Sequence, residues 1–391
     1  MSPFFADWLN LLIRWGHMIA GIAWIGTSFY FVALDFSLKR RQALPQGVAG
    51  EAWEVHGGGF YHVQKYMVAP AQLPDDLIWF KWEAYLTWVT GFLLLIVQYY
   101  LNATAYLIDP SVLLLAPWQA ILISVSGLAA GWVVYDLLCR SPLGQRTGLL
   151  AVLVFCLILA AAYGFTHVFS GRGALIHIGA FIGTMMAANV FMVIIPNQRK
   201  IVASLLKSET PDPRLGAIGK QRSLHNTYLT LPVLLMMISN HYPMITNHPH
   251  AWIIVGLIVI GGGALRHFLV RHEVGDPLRQ LAWTFPIIFL ALFAALILTA
   301  PQVKQFAANV SDQDALSITQ TRCIMCHSSK PTQQGFAEAP KGVKLETVAE
   351  LKRYAPLIDL QAVKSNAMPL GNVSGMTADE RSRLGQWIAQ Q

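Results

Sequence analysis

The sequence predicts an all-α protein in two parts, a polytopic bundle of eight transmembrane helices followed by a small all-α domain outside the membrane. Three observations predict it. Hydrophobic residues make up 54% of the 391 and charged residues only 13%, against about 25% charged in a soluble globular chain. Apolar runs of about twenty residues, the length a helix needs to cross a bilayer, recur through the first three hundred positions. From position 311 the composition turns hydrophilic, with nine basic and eight acidic residues to the C-terminus.

The spans read at 8–36, 82–101, 112–138, 148–170, 174–195, 223–239, 251–271 and 281–300. The first carries Arg14 and His17 and lacks a small-residue cleavage site, which argues against a cleavable signal peptide. With the N-terminus outside, the inward loops hold fourteen Lys and Arg, from Lys39 through Arg222 to Arg279. The outward segments 1–7, 102–111, 171–173 and 240–250 hold Arg172 alone. Positive charge is retained on the inner face of a membrane. The net charge of +7 therefore reports topology rather than a nucleic-acid partner, for which basic and aromatic patches would have to interleave. Eight spans that start outside also end outside. Residues 1–300 form the membrane domain in contact with lipid, 301–310 a linker, and 311–391 a domain in the periplasm of a bacterial inner membrane.

The long inward loop 39–81 leads into the second span through EAWEVHGGGFYHVQKYMVAPAQLPDDLIWFKWE, residues 51–83. It is too aromatic for a solvated linker and too broken by Gly and Pro to span, so an interfacial or re-entrant segment is expected. His56-Gly57-Gly58-Gly59 matches an esterase oxyanion motif, but no G-x-S-x-G accompanies it. Gly261 to Gly263 are expected to permit close helix packing or a local break.

In the outer domain, Cys323, Cys326 and His327 form C-x-x-C-H, the pattern of covalent c-type haem attachment. A short helix over 311–322 is expected to deliver the cysteines at its end. Met368, in Ala367-Met368-Pro369-Leu370-Gly371-Asn372, would join His327 as the second axial ligand of the iron, a His/Met pair that raises the potential. Met376 competes with it but is followed at once by Thr377, the expected N-cap of a helix with Glu380 three residues on. Leu384, Trp387 and Ile388 form that helix's apolar face. A zinc site would need a second ligand pair, and none follows. Cys139 and Cys156 read as packing residues, so no disulfide framework is proposed. Residues 311–391 resemble a small class I cytochrome c.

Ionisable residues inside spans mark function by default. His17 lies in the outer half of the first span, and His167 and His177 flank the tight turn 170–173 at similar depth. His225, His267 and His272 form an inner layer. Bis-histidine ligation of haem b needs facing pairs at one depth, which makes His17, His167, His177, His225 and His267 candidate ligands for one or two such haems. The plainer reading of His167 and His177 is that of interfacial histidines at a hairpin. Arg14, one turn before His17, needs a partner such as a propionate or an anionic substrate. His248 and His250 are expected to be solvated.

RWGHMIAGIAWIGTSFYF, WEVHGGGFYHVQKY and FKWEAYLTW, together with the eight spans and the C-terminal CIMCH, resemble the bacterial membrane-bound, cytochrome c-linked urate oxidase (urate hydroxylase) family. The resemblance covers essentially the whole chain. It implies oxidation of urate to 5-hydroxyisourate with water as oxygen source, and electrons passed through haem c to a soluble or membrane acceptor of the respiratory chain without hydrogen peroxide. Only Cys323, Cys326, His327 and Met368 carry over by position. One haem c takes one electron at a time while urate gives two, so a second centre or a waiting urate radical is required. A flat anion wants a cation, an amide and an aromatic wall. Arg14, Asn189, Asn226, Trp82 and Glu83 are candidates by type and depth, with His62 or Glu83 as general base for water attack. A homo-oligomer is compatible with the sequence. Two other classes compete: a non-catalytic membrane cytochrome relaying electrons from another dehydrogenase, and a transporter with a redox-sensing tail, for which paired broken helices are missing.

Overall fold

The computed structural model describes residues 3–41, 44–66, 73–74, 76–207, 209–273, 275–300, 309–333 and 335–391. The chain is predominantly helical. Among the described residues, six helices are long and apolar enough to cross a membrane: Asp7–Ser37, Pro117–Arg140, Thr147–Thr166, Gly171–Leu206, Ala251–Glu273 and Leu278–Thr299. We label the elements in chain order: α1 Pro3–Ser37, β1 Val48–His56, β2 Gly59–Tyr66, α2 Trp82–Leu94, α3 Pro117–Arg140, α4 Thr147–Thr166 and α5 Gly171–Ala188. They continue with α6 Pro213–Ile238, α7 Ala251–Glu273, α8 Thr284–Thr299, α9 Asp312–Arg322, α10 Val348–Ile358 and α11 Ala378–Ala389.

The predicted second and sixth spans are helices of a different make. A π-helical turn, Leu95–Tyr100, extends α2, and α6 begins ten residues before the predicted 223, capped by Asp212 with Pro213 at its first position. Lys220 and Arg222, read as inward-loop charges, therefore lie within α6, and Arg222 is buried. The fifth predicted span likewise overruns its end. A π-turn, Asn189–Ile194, joins α5 to a further helix, Ile195–Leu206. Such turns cluster at functional sites because they displace side chains from the regular helical register.

The stretch after α1, expected as an interfacial or re-entrant segment, carries the strands of this predominantly helical chain. It forms an antiparallel hairpin, β1 pairing with β2 from Val48↔Tyr66 to His56↔Gly59. Gly57 and Gly58 both take positive φ (59° and 81°). A two-residue type I′ turn demands that of both central positions and so selects glycine. That turn is what His56-Gly57-Gly58-Gly59 encodes.

The α5 helix is the centre of the bundle: its span is 67% buried, against 17% for α1 and for the last helix. The bundle core runs from Leu95 to Val255 in sequence. The triple glycine permits close packing within an unbroken α7. A Cβ at Gly261 would lie 3.3 Å from Ala291 of α8, and one at Gly262 3.2 Å from Pro232 of α6. Along its outer flank α1 exposes Trp8, Leu12, Trp15, Ile19 and Ile22.

A separate apolar cluster gathers residues from Val310 to Trp387. Ser311 caps α9, which delivers the cysteines at its end, and Thr377 caps α11 in the expected Thr377/Glu380 capping box. Leu384 and Trp387 are fully buried, and the Trp387 indole donates to Asp312 Oδ1 at 2.8 Å, tying α11 to α9. Of the expected linker 301–310, only 309 and 310 fall among the described residues.

Three predicted outward segments meet at one end of the bundle. Ser170 donates its backbone N–H to Leu107 O (2.8 Å) and its hydroxyl to Tyr106 O (2.6 Å), and Gly171 lies against Thr246 and Asn247. The C-terminal unit docks on this same end: at Gly371 an added Cβ would stand 2.7 Å from Ala105 O.

Candidate functional site

The C-x-x-C-H segment is one tight turn at the end of α9. The N–H of Cys323 donates to Thr319 O (2.8 Å), and the N–H groups of Cys326 and His327 both donate to Cys323 O (3.1 and 2.9 Å). Both thiols are free. Burial pushes the Cys323 thiol up to about 12 and raises Cys326 as well. His327 Nδ1 lies 2.9 Å from Val343 O. A carbonyl can only accept, so Nδ1 of the neutral ring carries the proton and Nε2 keeps its lone pair for a metal. Met368 packs on the same apolar cluster as Cys323; its N–H donates to Gln361 O (2.8 Å) and its carbonyl accepts from Arg381 (2.5 Å). Met376 is bound instead into a turn, with its N–H on Asn372 Oδ1 (2.9 Å). No group of three or more His, Cys, Asp or Glu able to hold a bare metal ion occurs among the described residues. Two free thiols and an imidazole with a defined lone pair in one turn, and a thioether that shares an apolar cluster with Cys323, are a donor set that fits a covalent haem c instead.

The bundle candidates fall in separate places. Arg14 donates to two neutral amides, Asn10 and Gln98 (Nη2 to Gln98 Oε1 2.6 Å), and makes no ion pair among the described residues. His17 sets Nδ1 3.0 Å from both Thr87 O and Thr90 Oγ1, and its ring fits over Gly91, where a Cβ would come within 3.0 Å. His62, on β2, lies 2.6 Å from Glu51 and stacks on Trp53; Glu83 stands in the first turn of α2 and makes no described bond to it. Trp82 is exposed beneath the Lys81 ammonium.

His177 is fully buried with both ring nitrogens in use, Nδ1 on Gly173 O and Nε2 on Ser124 Oγ, each at 2.7 Å. His167 is exposed, stacks near Tyr163 and bonds that residue's carbonyl (2.7 Å). His225 contacts the Tyr135 hydroxyl (2.7 Å) and His267 the Tyr228 hydroxyl (2.8 Å). The histidine candidates thus sit in different surroundings, and the described contacts make no facing pair of free imidazole nitrogens. Of the five, His177 alone uses both ring nitrogens; the described bonds of His17, His167, His225 and His267 are made through Nδ1.

Sequence reasoning missed the most tightly built polar cluster. Arg222, 1% exposed, donates to Asp136 Oδ1 (2.7 Å) and to Asn189 Oδ1 (3.1 Å). The Asn189 amide donates to the Tyr135 hydroxyl and to Asn226 Oδ1, both at 2.9 Å. The two asparagines picked by type do meet, but Arg222, the cation that organises them, was read as a loop charge, and Asp136 was not singled out. The usable signal was spacing: Arg222 and Asn226 are four apart and share one helix face.

No curated protein and no solved structure matches the chain. A family model does, over residues 3–300, the whole bundle with its hairpin. The match covers most of the sequence and stops where the cysteine-bearing unit begins, and by it the chain belongs to the urate oxidase N-terminal family.

Proposed function

We propose that the protein is a membrane oxidoreductase that hydroxylates urate, with all eight long helical segments crossing a bacterial inner membrane and the C-terminal unit in the periplasm. The reaction balances as urate plus water giving 5-hydroxyisourate, two protons and two electrons. The new bond is C5–O, and the oxygen comes from water. Cys323 and Cys326 would hold haem c through thioethers, and His327 and Met368 would ligate its iron. When bound, that group supplies a one-electron acceptor, so electrons leave toward the respiratory chain and no hydrogen peroxide forms. The apolar flank of α1 would face lipid.

The observation that carries this reading is the docking of a unit fit for haem c onto a bundle of the urate oxidase family. The experiment is a pyridine haemochrome spectrum of the purified protein followed by anaerobic addition of urate. A c-type spectrum that becomes reduced by urate is expected. A c-type protein that dithionite reduces and urate does not would instead be a relay for another dehydrogenase.

A further inference from the structure

We propose that the anionic substrate binds at the outer end of the bundle, in the cleft between Arg172 and the Leu370–Asn372 turn, with Arg172 supplying the counter-charge and Asn247 an amide donor. The proposal rests on the urate-oxidising reading and adds a site to it. The cleft has about 300 Å³ counting its open mouth, and is lined by Tyr106, Asp109, Arg172 and Asn247 of the bundle and by Asn366 and Asn372 of the C-terminal unit. Its enclosed part is about 20 Å³, room for about one water, so a bicyclic heterocycle would lie across the open mouth.

Orphaned polar atoms point there. Buried polar atoms are almost always hydrogen-bonded, so each exception calls for a missing partner. Seven such side-chain atoms occur among the described residues, and four gather at this end: Arg172 Nε, Asn240 Oδ1, Thr246 Oγ1 and Asn247 Nδ2. Thr246 is only 1% exposed. The four belong to turns held in contact, since Gly171 touches both Thr246 and Asn247. Of the four, Arg172 and Asn247 line the cleft, and their orphaned atoms are both donors, which suits the oxygens of a flat anion.

The charge agrees. Arg172 and Arg14 both act electrostatically on the Tyr99 hydroxyl, which accepts from Asn240 at 2.7 Å. Neither arginine has an ion pair within 4.0 Å among the described residues. Asp109 is the acidic group in the cleft; its Oδ1 accepts from the Ser111 N–H and hydroxyl, and the Arg381 charge acts on it from the other wall.

Position decides between this cleft and the alternatives. The wall formed by 366–372 includes the chain on either side of Met368, and Tyr106 lies close enough to Cys326 to interact with it. The hairpin with His62 follows the far end of α1, whose 35 residues span about 50 Å at about 1.5 Å each. Arg266, 2% exposed and stacked 3.6 Å over Phe29, is a buried cation with no described hydrogen bond. It lies fifteen residues along α7 from Ala251, about 20 Å from the outer end of that helix. Electron transfer weakens steeply with separation, which favours a substrate held against the unit that receives the electrons.

The test is equilibrium dialysis of radiolabelled urate against the full chain in nanodiscs, with the haem kept reduced by dithionite so that urate is not consumed. The wild type should bind saturably. Arg172→Gln should weaken binding at least tenfold, Arg172→Lys should recover part of it, and Asn247→Ala should weaken it less. Covalent haem content and elution volume check the fold of each variant. Unchanged urate affinity in Arg172→Gln with loss in Arg266→Gln would overturn the proposal and move the site to Phe29. Unchanged affinity with a shifted haem midpoint potential would overturn it too, assigning Arg172 to a propionate carboxylate. In both cases urate-dependent haem reduction by the wild type would leave the enzymatic reading standing. A wild type that neither binds urate nor is reduced by it would remove both.

Discussion

Replacing Gly371 by alanine should loosen the C-terminal unit from the bundle, and the effect can be separated from its side consequences. Gly371 sits at φ 57°, and a Cβ there would meet Ala105 O at 2.7 Å and Ile108 O at 3.0 Å. Two costs arise. Holding an L-residue in the left-handed region costs about 1–2 kcal/mol, but the turn has that conformation whether docked or free, so this cost weakens the Met368 loop without moving the docking equilibrium. The clash exists only in the docked state. Both contacts are backbone oxygens that no rotamer change can move, so an overpacking cost of about 1–3 kcal/mol applies. That converts to a roughly 5- to 150-fold shift toward the undocked form. Gly375 is the matched control: its φ is 62°, yet a Cβ would meet only Arg322 Nη1, at 3.8 Å. Gly375→Ala therefore pays the conformational cost and not the clash. Amide hydrogen exchange of the full chain reports the difference through Leu107 and Ile108, whose N–H groups bond to Ala103 O at 3.0 and 2.8 Å. Exchange there should be faster in Gly371→Ala than in Gly375→Ala. Equal exchange in the two variants would refute the docking described above.

Arg222→Met should lower stability by about 3–5 kcal/mol, because it strips a buried charge pair of one partner, with the lower figure favoured since Asp136 keeps Arg140 at 2.6 Å. Adding Asp136→Asn should restore part of the melting temperature; a further drop would contradict the pairing. Gly131→Ala would place a Cβ 1.9 Å from the Phe181 ring, an overpacking worth about 1–3 kcal/mol that Phe181→Leu should relieve in a thermal melt. In the C-terminal unit, burial works against ionisation of Glu380, but the Thr377 amide, the Arg322 guanidinium and the Thr377 hydroxyl outweigh it and hold its carboxyl below the usual range. A depressed folded-state value stabilises above the unfolded one and is lost as pH falls through the folded one. Acid unfolding, followed at the Trp387 emission, should accordingly begin at higher pH in Thr377→Ala, and an unshifted onset would count against the cap.

Local patterns carry far in this sequence. Apolar runs of helical length marked the long helices, and the capping residue Thr377 marked where α11 begins, because a cap is decided by side chains within three positions of the helix start. The hairpin was legible too, had the double glycine been read as turn chemistry between β-branched and aromatic residues rather than as a loop breaker. Helix ends were less secure. Arg222 and Lys220 look like loop charges in a hydropathy scan, and only the partners Asp136 and Asn189 explain why one of them is buried inside α6.

By itself the sequence determined the helical class, the run of apolar segments, and the C-x-x-C-H turn with its capped flanking helices, all of which depend on residues a few positions apart. Tertiary structure alone decided which polar groups meet. His177 spends both nitrogens on Gly173 and Ser124, His62 belongs with Glu51, and Arg172 comes to face the Met368 loop although nearly two hundred residues separate them in the chain. Hydrogen bonds and charges act over a few ångströms of space, and the register of one helix against another, which sets those few ångströms, is fixed by packing that no short stretch of sequence contains.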